Sequence, residues 1–334
     1  ARCIIIWGRN PVATNPHLMP FLQKARQQGA RLIVIDPIKT LSARQADIHL
    51  QPRPGTDGAL ALGMAHHLIT SQRVDDIFLS RHTHGFNRFA DSLQAFTPEA
   101  AAAVTGLDAD TIRRTAEQYA DRIPSSIIIG MGLQRYANGG QTVRCIDALA
   151  ALTGNIGRSG GGVNYANRSI TRWIDREGGV QSDAPPPDPR TFPLPRMAHF
   201  IRSAENPPIN VMMIAKANPL VQVPDSRAMQ AAFDRVPFKI VVDMFMTDTA
   251  RAADLVLPCT SILEEEDLVY SSMFSPYLNY ARQVVAPPEG LLSEYDLFRH
   301  LARRLNLSGY PDIPARHFLE KAIRPLTREF GLTI

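Results

Sequence analysis

Short unbroken apolar runs alternate along this chain with longer stretches in which apolar residues recur at helical spacing. Cys3 to Trp7 is a continuous apolar run rich in isoleucine, which predicts a strand buried on both faces and hence part of a parallel sheet. Gly8-Arg9-Asn10-Pro11 breaks it. His17 to Gln28 carries Leu18, Phe21, Leu22 and Ala25 on one helical face and stops at Gly29. Leu32 to Ile35 is the next strand, so the chain opens with a β-α-β unit whose right-handed crossover makes the strands parallel neighbours. Ile48 to Gln51 is a third short strand. Arg53-Pro54-Gly55-Thr56-Asp57-Gly58 then leads into a helix from Ala59 to about Ser71, with Thr56 or Asp57 as its cap and its first N–H groups as an anion site. Val74 to Asp121 is helical in pattern, with starts at Thr97-Pro98-Glu99 and at Asp108, the latter placing Ile112, Ala116 and Tyr119 on one side. Ser126 to Ile129 is another strand, followed by Gly130-Met131-Gly132 and a helix from Gly140 to Leu152. Gly154 to Asn164 is too rich in glycine for regular structure and reads as a linker or as a loop lying along a ligand.

A second series follows the irregular, proline-rich stretch Gln181 to Pro195. It comprises a strand at Asn210–Ile214, Asn218-Pro219, a helix at Ser226–Arg235, a strand at Phe238–Val242, a short helix capped at Thr247 or Asp248, and a strand at Leu255–Leu257. This series repeats the first. An apolar run ends in Asp36 or Asp243, a threonine stands four residues on at Thr40 or Thr247, and a second aspartate stands eleven residues on at Asp47 or Asp254. Asn10-Pro11 and Asn218-Pro219 precede the first aspartates by 26 and 25 residues. One supersecondary unit used twice implies that the second copy binds something related to what the first binds. Glu264 to Asp267 reads as a solvated acidic loop, and Ser293 to Leu305 as an amphipathic helix with a Ser-x-x-Asp start. The second series has fewer strands, so part of its sheet is expected from sequence outside this chain. The domain boundary is placed at residue 154, giving domains 1–154 and 155–334.

Composition narrows the function classes. With 334 residues the chain has room for two cores, and no apolar run approaches the ~20 residues of a membrane helix. A net charge of +4 without a Lys/Arg block or basic stripe argues against nucleic acid. Cys3, Cys145 and Cys259 stand far apart and read as small buried residues. His82-x-His84 lacks an acid at matching spacing and reads as surface, so no metal ligand is assigned. The chain starts at Ala1 without Met and is inside a strand by Cys3, which reads as a piece of a longer protein; no compartment is assigned.

The candidate chemistry sits at strand ends. The G-x-G-x-x-G fingerprint is missing from the first turn, which counts against an ordinary nicotinamide dehydrogenase. Asp36 still occupies the place where such folds hold a ribose or base. Asp57 can accept both N1–H and N2–H of a guanine edge, a match adenine cannot offer, or it can serve only as a helix cap.

These residues resemble the molybdopterin oxidoreductase family of dimethyl sulfoxide reductase and formate dehydrogenase. The matching motifs are IIIWGRNP, VIDP, RPGTDGALALGM, GMGLQRYANGGQTVR, LTGNIGRSGGGVN, ANPL and VVDMFMTDTARAADLVLP, in order over nearly the whole chain. The resemblance implies an α/β fold of two Rossmann-like, three-layer α/β/α domains with mostly parallel sheets, related by internal duplication. It implies bis(molybdopterin guanine dinucleotide) with Mo or W as cofactor, an iron-sulfur cluster carried by sequence upstream, and a small-molecule substrate. An electron-transfer subunit is the expected partner. It places Gly8, Asn10, Asp36, Gly55, Asp57 and Met131 around one dinucleotide and Asn218, Asp243 and Thr247 around the other. Arginine commonly follows Asp-Pro in the family; Ile38 stands here, with Lys39 and Arg53 as candidates to replace its charge. No catalytic residue is assigned. The rival reading is a cofactor-free structural or electron-transfer subunit of a respiratory complex with the same fold. Retention of both Asn-Pro turns and both strand-end aspartates argues against it.

Overall fold

The computed structural model describes all residues except 167, 176–188, 272–276 and 308. The proline-rich stretch before residue 189 therefore lies outside the described residues. The chain divides into two compact units, Ala1–Ala166 and Asn167–Ile334.

In the first unit, β1 (Cys3–Trp7), β2 (Arg31–Ile35), β3 (Ile48–Leu50), β4 (Ser125–Ile129) and β5 (Gly162–Asn164) form one parallel sheet in the order β3-β2-β1-β4-β5. Alternate side chains of a strand face opposite ways, and that rule sorts the helices into two layers. Cys3, Ile5, Trp7, Ile33 and Ile35 pack with α3 (Asp57–Thr70), α7 (Ala109–Ala120) and α8 (Gly139–Leu152). Ile4, Ile6, Leu32 and Val34 pack on the other face with Leu22 of α2 (Met19–Gln27) and with Ala30 and Ala43. Sheet covered on both sides is the reason β1 is apolar without interruption. A one-turn helix, α1 (Pro11–Thr14), follows β1. The long helical stretch is resolved into α4 (Asp76–His82), α5 (Phe86–Ser92), α6 (Pro98–Thr105) and α7, with Asp75, Thr97 and Asp108 accepting the amides that open α4, α6 and α7.

Two local expectations change. The first helix begins as a 3-10 turn at Pro16–Leu18 because Pro20 is accommodated only in the first turn of an α-helix. Its buried stripe is narrower than the apolar pattern, for Leu22 is 3% exposed and Phe21 72%. The glycine-rich stretch does form regular structure, since Gly162–Asn164 pairs with β4 as β5. It is pinned by the buried Asn155, whose side-chain oxygen accepts the Ser125 amide at 2.7 Å and whose Nδ2 donates to Thr153 at 2.8 Å.

In the second unit, β6 (Val211–Ala215), β7 (Phe238–Val242) and β8 (Leu255–Leu257) form a parallel sheet in the order β6-β7-β8. Helix α9 (Met197–Ser203) precedes it; α10 (Pro219–Gln222) and α11 (Ser226–Phe233) join β6 to β7, and α12 (Asp248–Arg251) joins β7 to β8. Met229, Ala232 and Phe233 of α11 form the core beneath this sheet with Ala198 and Ile201 of α9. Among the described residues β6 has a neighbour on one side only, and Val211 at its start is exposed. An antiparallel pair, β9 (Asp267–Tyr270) and β10 (Leu278–Ala281), packs with α14 (Ala315–Ala322) and α15 (Arg324–Phe330), while α13 (Glu294–Arg304) is capped by Ser293 as its sequence predicts. The acidic run is not a solvated loop. Glu264 accepts the Ser261 amide and Glu265 the Thr260 hydroxyl, each at 2.8 Å, and both are half-buried.

Candidate functional site

The strand order of the first unit reverses at β1, with β2 and β3 to one side and β4 and β5 to the other. Open parallel sheets bind ligands beyond the carboxyl ends of their strands at such a reversal, where diverging connections leave a crevice. Every residue singled out in the first unit follows a strand at that edge: Gly8 and Asn10 after β1, Asp36 after β2, Gly55 and Asp57 after β3, Met131 after β4. The two flanking strand ends approach so closely that a Cβ on Gly130 would stand 1.7 Å from the Gly8 carbonyl oxygen. Gly8 takes a left-handed turn at φ +60, which glycine adopts without strain.

Ser42, Asn10, Asp36 and Asp57 at this edge are each held by a hydrogen bond. Ser42 Oγ donates to Asn10 Oδ1 at 2.7 Å and accepts the Val12 amide at 3.2 Å. Asp36 Oδ1 accepts the Ile38 amide at 2.9 Å. Asp57 opens α3 but does not cap it, nor does Thr56, whose hydroxyl donates to the Arg53 carbonyl at 2.6 Å. Instead Asp57 turns inward, 5% exposed, and its Oδ1 accepts the indole Nε1–H of the buried Trp7 at 2.8 Å. Burial raises the Asp57 pKa; the Trp7 bond opposes that rise, and the nearby Asp36 charge adds to it. Gly55, at φ +82, lies under the Tyr136 ring, and its carbonyl accepts from Asn138 Nδ2 at 3.4 Å. Arg53 is not a substitute for the missing arginine: its guanidinium donates to the carbonyls of Ala103 and Val104 near the end of α6. Lys39 is exposed beside Ile38.

The second unit repeats this bonding. Thr249 Oγ1 donates to Asn218 Oδ1 at 2.6 Å and accepts the Leu220 amide at 3.2 Å. Asp243 Oδ1 accepts the Phe245 amide at 3.0 Å. Thr247 accepts the Ala250 amide at 3.2 Å, as Thr40 accepts the Ala43 amide at 3.1 Å. The second aspartates serve one structural purpose: Asp47 and Asp254 each accept the amide at or near the start of the neighbouring strand, Leu32 or Lys239, at 2.8 Å. Burial would raise the Asp47 carboxyl, but the Leu32 amide and the Arg26 guanidinium hold it below the ordinary range; Lys239 does the same for Asp254. The turn after the first strand differs. Where the first unit has Gly8, the second has Lys216 at φ +53, a left-handed lysine whose ammonium lies 2.6 Å from Glu294.

Sequence reasoning missed Trp7, Ser42, Tyr136, Thr249 and Lys216. Only Lys216 left a readable signal, as the residue aligned with Gly8 two places before the asparagine. The arrangement presents carboxylates as acceptors and side-chain amides as donors, a set suited to a nucleotide. Among the described residues no cluster of three His, Cys, Asp or Glu side chains could hold a metal ion, and no helix is long and apolar enough to cross a membrane. Cys3, Cys145 and Cys259 are all buried, and burial pushes the Cys3 thiol up to about 12.

A family model described as molybdopterin oxidoreductase matches residues 1–304. The probable oxidoreductase YyaE of Bacillus subtilis is 36% identical over 326 residues, covering 98% of this chain and 49% of that protein. The alpha subunit of an F420-dependent formate dehydrogenase from Methanocaldococcus jannaschii is 30% identical over 334 residues, covering 93% of this chain and 48% of that protein. Among solved structures, acetylene hydratase from Pelobacter acetylenicus superposes with a TM-score of 0.78 at 22% identity, over 99% of this chain and 51% of that one. The chain thus spans about half the length of these proteins.

Proposed function

This chain belongs to the molybdopterin oxidoreductase family, and on that premise we propose that it holds bis(molybdopterin guanine dinucleotide) in a molybdenum- or tungsten-dependent oxidoreductase, one dinucleotide on each unit. The observation that carries this reading is the recurrence of one strand-end arrangement, Asn10, Ser42 and Asp36 in the first unit and Asn218, Thr249 and Asp243 in the second, with matching hydrogen bonds. Internal duplication of a single nucleotide-binding unit accounts for that recurrence. The donor set fits the group. Guanine N–H and ribose O–H groups need acceptors, which Asp36, Asp57 and Asp243 supply; pyrophosphate oxygens need donors, which the asparagine amides supply. Gly8 and Gly55 supply left-handed turns after β1 and β3, and Met131 follows β4 at the same edge. Thr247 fixes the α12 end of the second site.

When bound, the cofactor would supply redox chemistry at its metal, with oxygen-atom, hydride or electron transfer. This chain's residues would bind and orient it, and they offer the metal no ligand set of their own among the described residues. The alpha-subunit name of the Methanocaldococcus relative supports an electron-transfer partner subunit. The test is metal and pterin content of the protein made in a host that synthesises the guanine dinucleotide. About one molybdenum or tungsten with two pterins per chain is expected, and Asp243→Ala should lower the loading. Folded protein free of metal and pterin would sink the reading in favour of a cofactor-free subunit.

A further inference from the structure

Two hydroxyl side chains to which the sequence assigned no role, Ser42 and Thr249, hold the asparagines of both turns in one orientation. Ser42 stands between Asn10 and the Val12 amide, Thr249 between Asn218 and the Leu220 amide. The bonding repeats although the residue that supplies the hydroxyl does not. In the second unit a further contact settles which end of the side-chain amide is the oxygen. The Thr249 main-chain N–H points at the same Asn218 atom at 3.2 Å, and a backbone N–H can only meet an acceptor. Nδ2 therefore faces away from the hydroxyl. Among the described residues neither the Asn10 nor the Asn218 Nδ2 makes a hydrogen bond, and both asparagines are half-buried. Each is an oriented donor whose hydrogens are unspent, at the carboxyl end of β1 or β6.

We infer that Ser42 and Thr249 are positioning residues that turn the Asn10 and Asn218 amides so that their Nδ2 hydrogens meet the phosphate oxygens of the two dinucleotides. This rests on the function proposed above and adds to it a division of labour. A guanine edge and a ribose present hydrogens, which suit the carboxylates of Asp36, Asp57 and Asp243. A pyrophosphate presents acceptors alone, and the asparagine amides at this edge hold donors ready for it. Without the hydroxyl, the Asn10 amide could rotate and present its oxygen to the phosphate, a repulsive contact, and Asn218 would keep only the longer bond from the Thr249 main-chain N–H at 3.2 Å.

The test counts GMP released by acid hydrolysis per chain of protein made in a host that synthesises the dinucleotide, beside the thermal midpoint of protein made without cofactor. Asn10→Asp and Asn218→Asp keep an acceptor for the hydroxyl but put a carboxylate oxygen where Nδ2 stood. They should leave the cofactor-free midpoint near that of the wild type and lower GMP at least tenfold. Ser42→Ala and Thr249→Ala should lower GMP severalfold, with Ser42→Thr and Thr249→Ser restoring it. Wild-type GMP levels in both aspartate variants would overturn the inference, as would a loss in the alanine variants that the exchanged hydroxyls do not restore. Wild-type protein carrying no GMP would instead refute the dinucleotide reading itself.

Discussion

The bond between Trp7 and Asp57 joins the first strand to the first turn of α3, and its energetics can be isolated. Trp7 is fully buried, Asp57 is 5% exposed, and Nε1 lies 2.8 Å from Oδ1. A bond to a charged acceptor in such a place is worth about 2 kcal/mol, and the smaller ring of Trp7→Phe forfeits about 1 kcal/mol more in packing, so this substitution should cost about 3 kcal/mol. Asp57→Asn keeps an oxygen for the indole and removes a buried charge, so it should stay within about 1 kcal/mol of the wild type. In the Asp57→Asn background, Trp7→Phe loses only a neutral bond and the packing, about 2 kcal/mol. The coupling is then about 1 kcal/mol, above the ~0.5 kcal/mol scatter of independent sites. Hydrogen exchange of peptides from β1 and β2 measures the first unit alone, which matters because two units need not unfold together. The coupling should also vanish at acid pH. Asp57 has a raised pKa, so its folded form takes up a proton at a higher pH than the unfolded one. That contribution to stability is complete below the unfolded value and lost as pH rises through the folded one. Trp7→Phe costing the same in both backgrounds at neutral pH would refute this account.

Three further outcomes are expected. Gly130→Ala should unfold the carboxyl edge of the first sheet, because its Cβ would stand 1.7 Å from the Gly8 oxygen; a soluble variant with an unchanged melting midpoint would show that the two strand ends can part freely. Asp47, whose pKa is lowered, contributes stability that is present above its unfolded pKa and lost as pH falls through the folded value, so Asp47→Asn should flatten the acid limb of an unfolding-versus-pH curve. Cys3, Cys145 and Cys259 are buried and their thiols are pushed up by burial, so iodoacetamide should label none of them in the native chain at neutral pH and all three in denaturant, as mass spectrometry would record.

The elements governed by local patterning were legible. The β1 run of isoleucines, the caps at Thr97, Asp108 and Ser293, and the repeated Asp-to-Asp spacing all reflect interactions within a few residues or a fixed structural period. What the sequence hid depends on contacts across long separations. The cap reading of Asp57, one of the two its sequence allowed, rested on local spacing, whereas the partner it bonds, Trp7, is fifty residues away. Ser42 and Thr249 sit in plain Ala-, Arg- and Thr-containing segments, and only the return of the chain beside the Asn-Pro turns gives their hydroxyls a purpose. Arg53 shows the same limit in reverse. Its charge and position near the turn suggested a ligand contact, but the end of α6 offered it carbonyls first.

The single neighbour of β6 has a practical consequence. In the first unit the matching strand, β1, is sealed by partners on both sides, while β6 among the described residues leaves one row of peptide groups without a strand beside it. Such a rim is a template, since any extended segment that reaches it can zip on through main-chain bonds whatever its sequence. Val211 exposed at its start makes the rim stickier still. Prepared as an isolated chain, the protein should therefore cloud with rising concentration, and its second unit should be where the clumping begins.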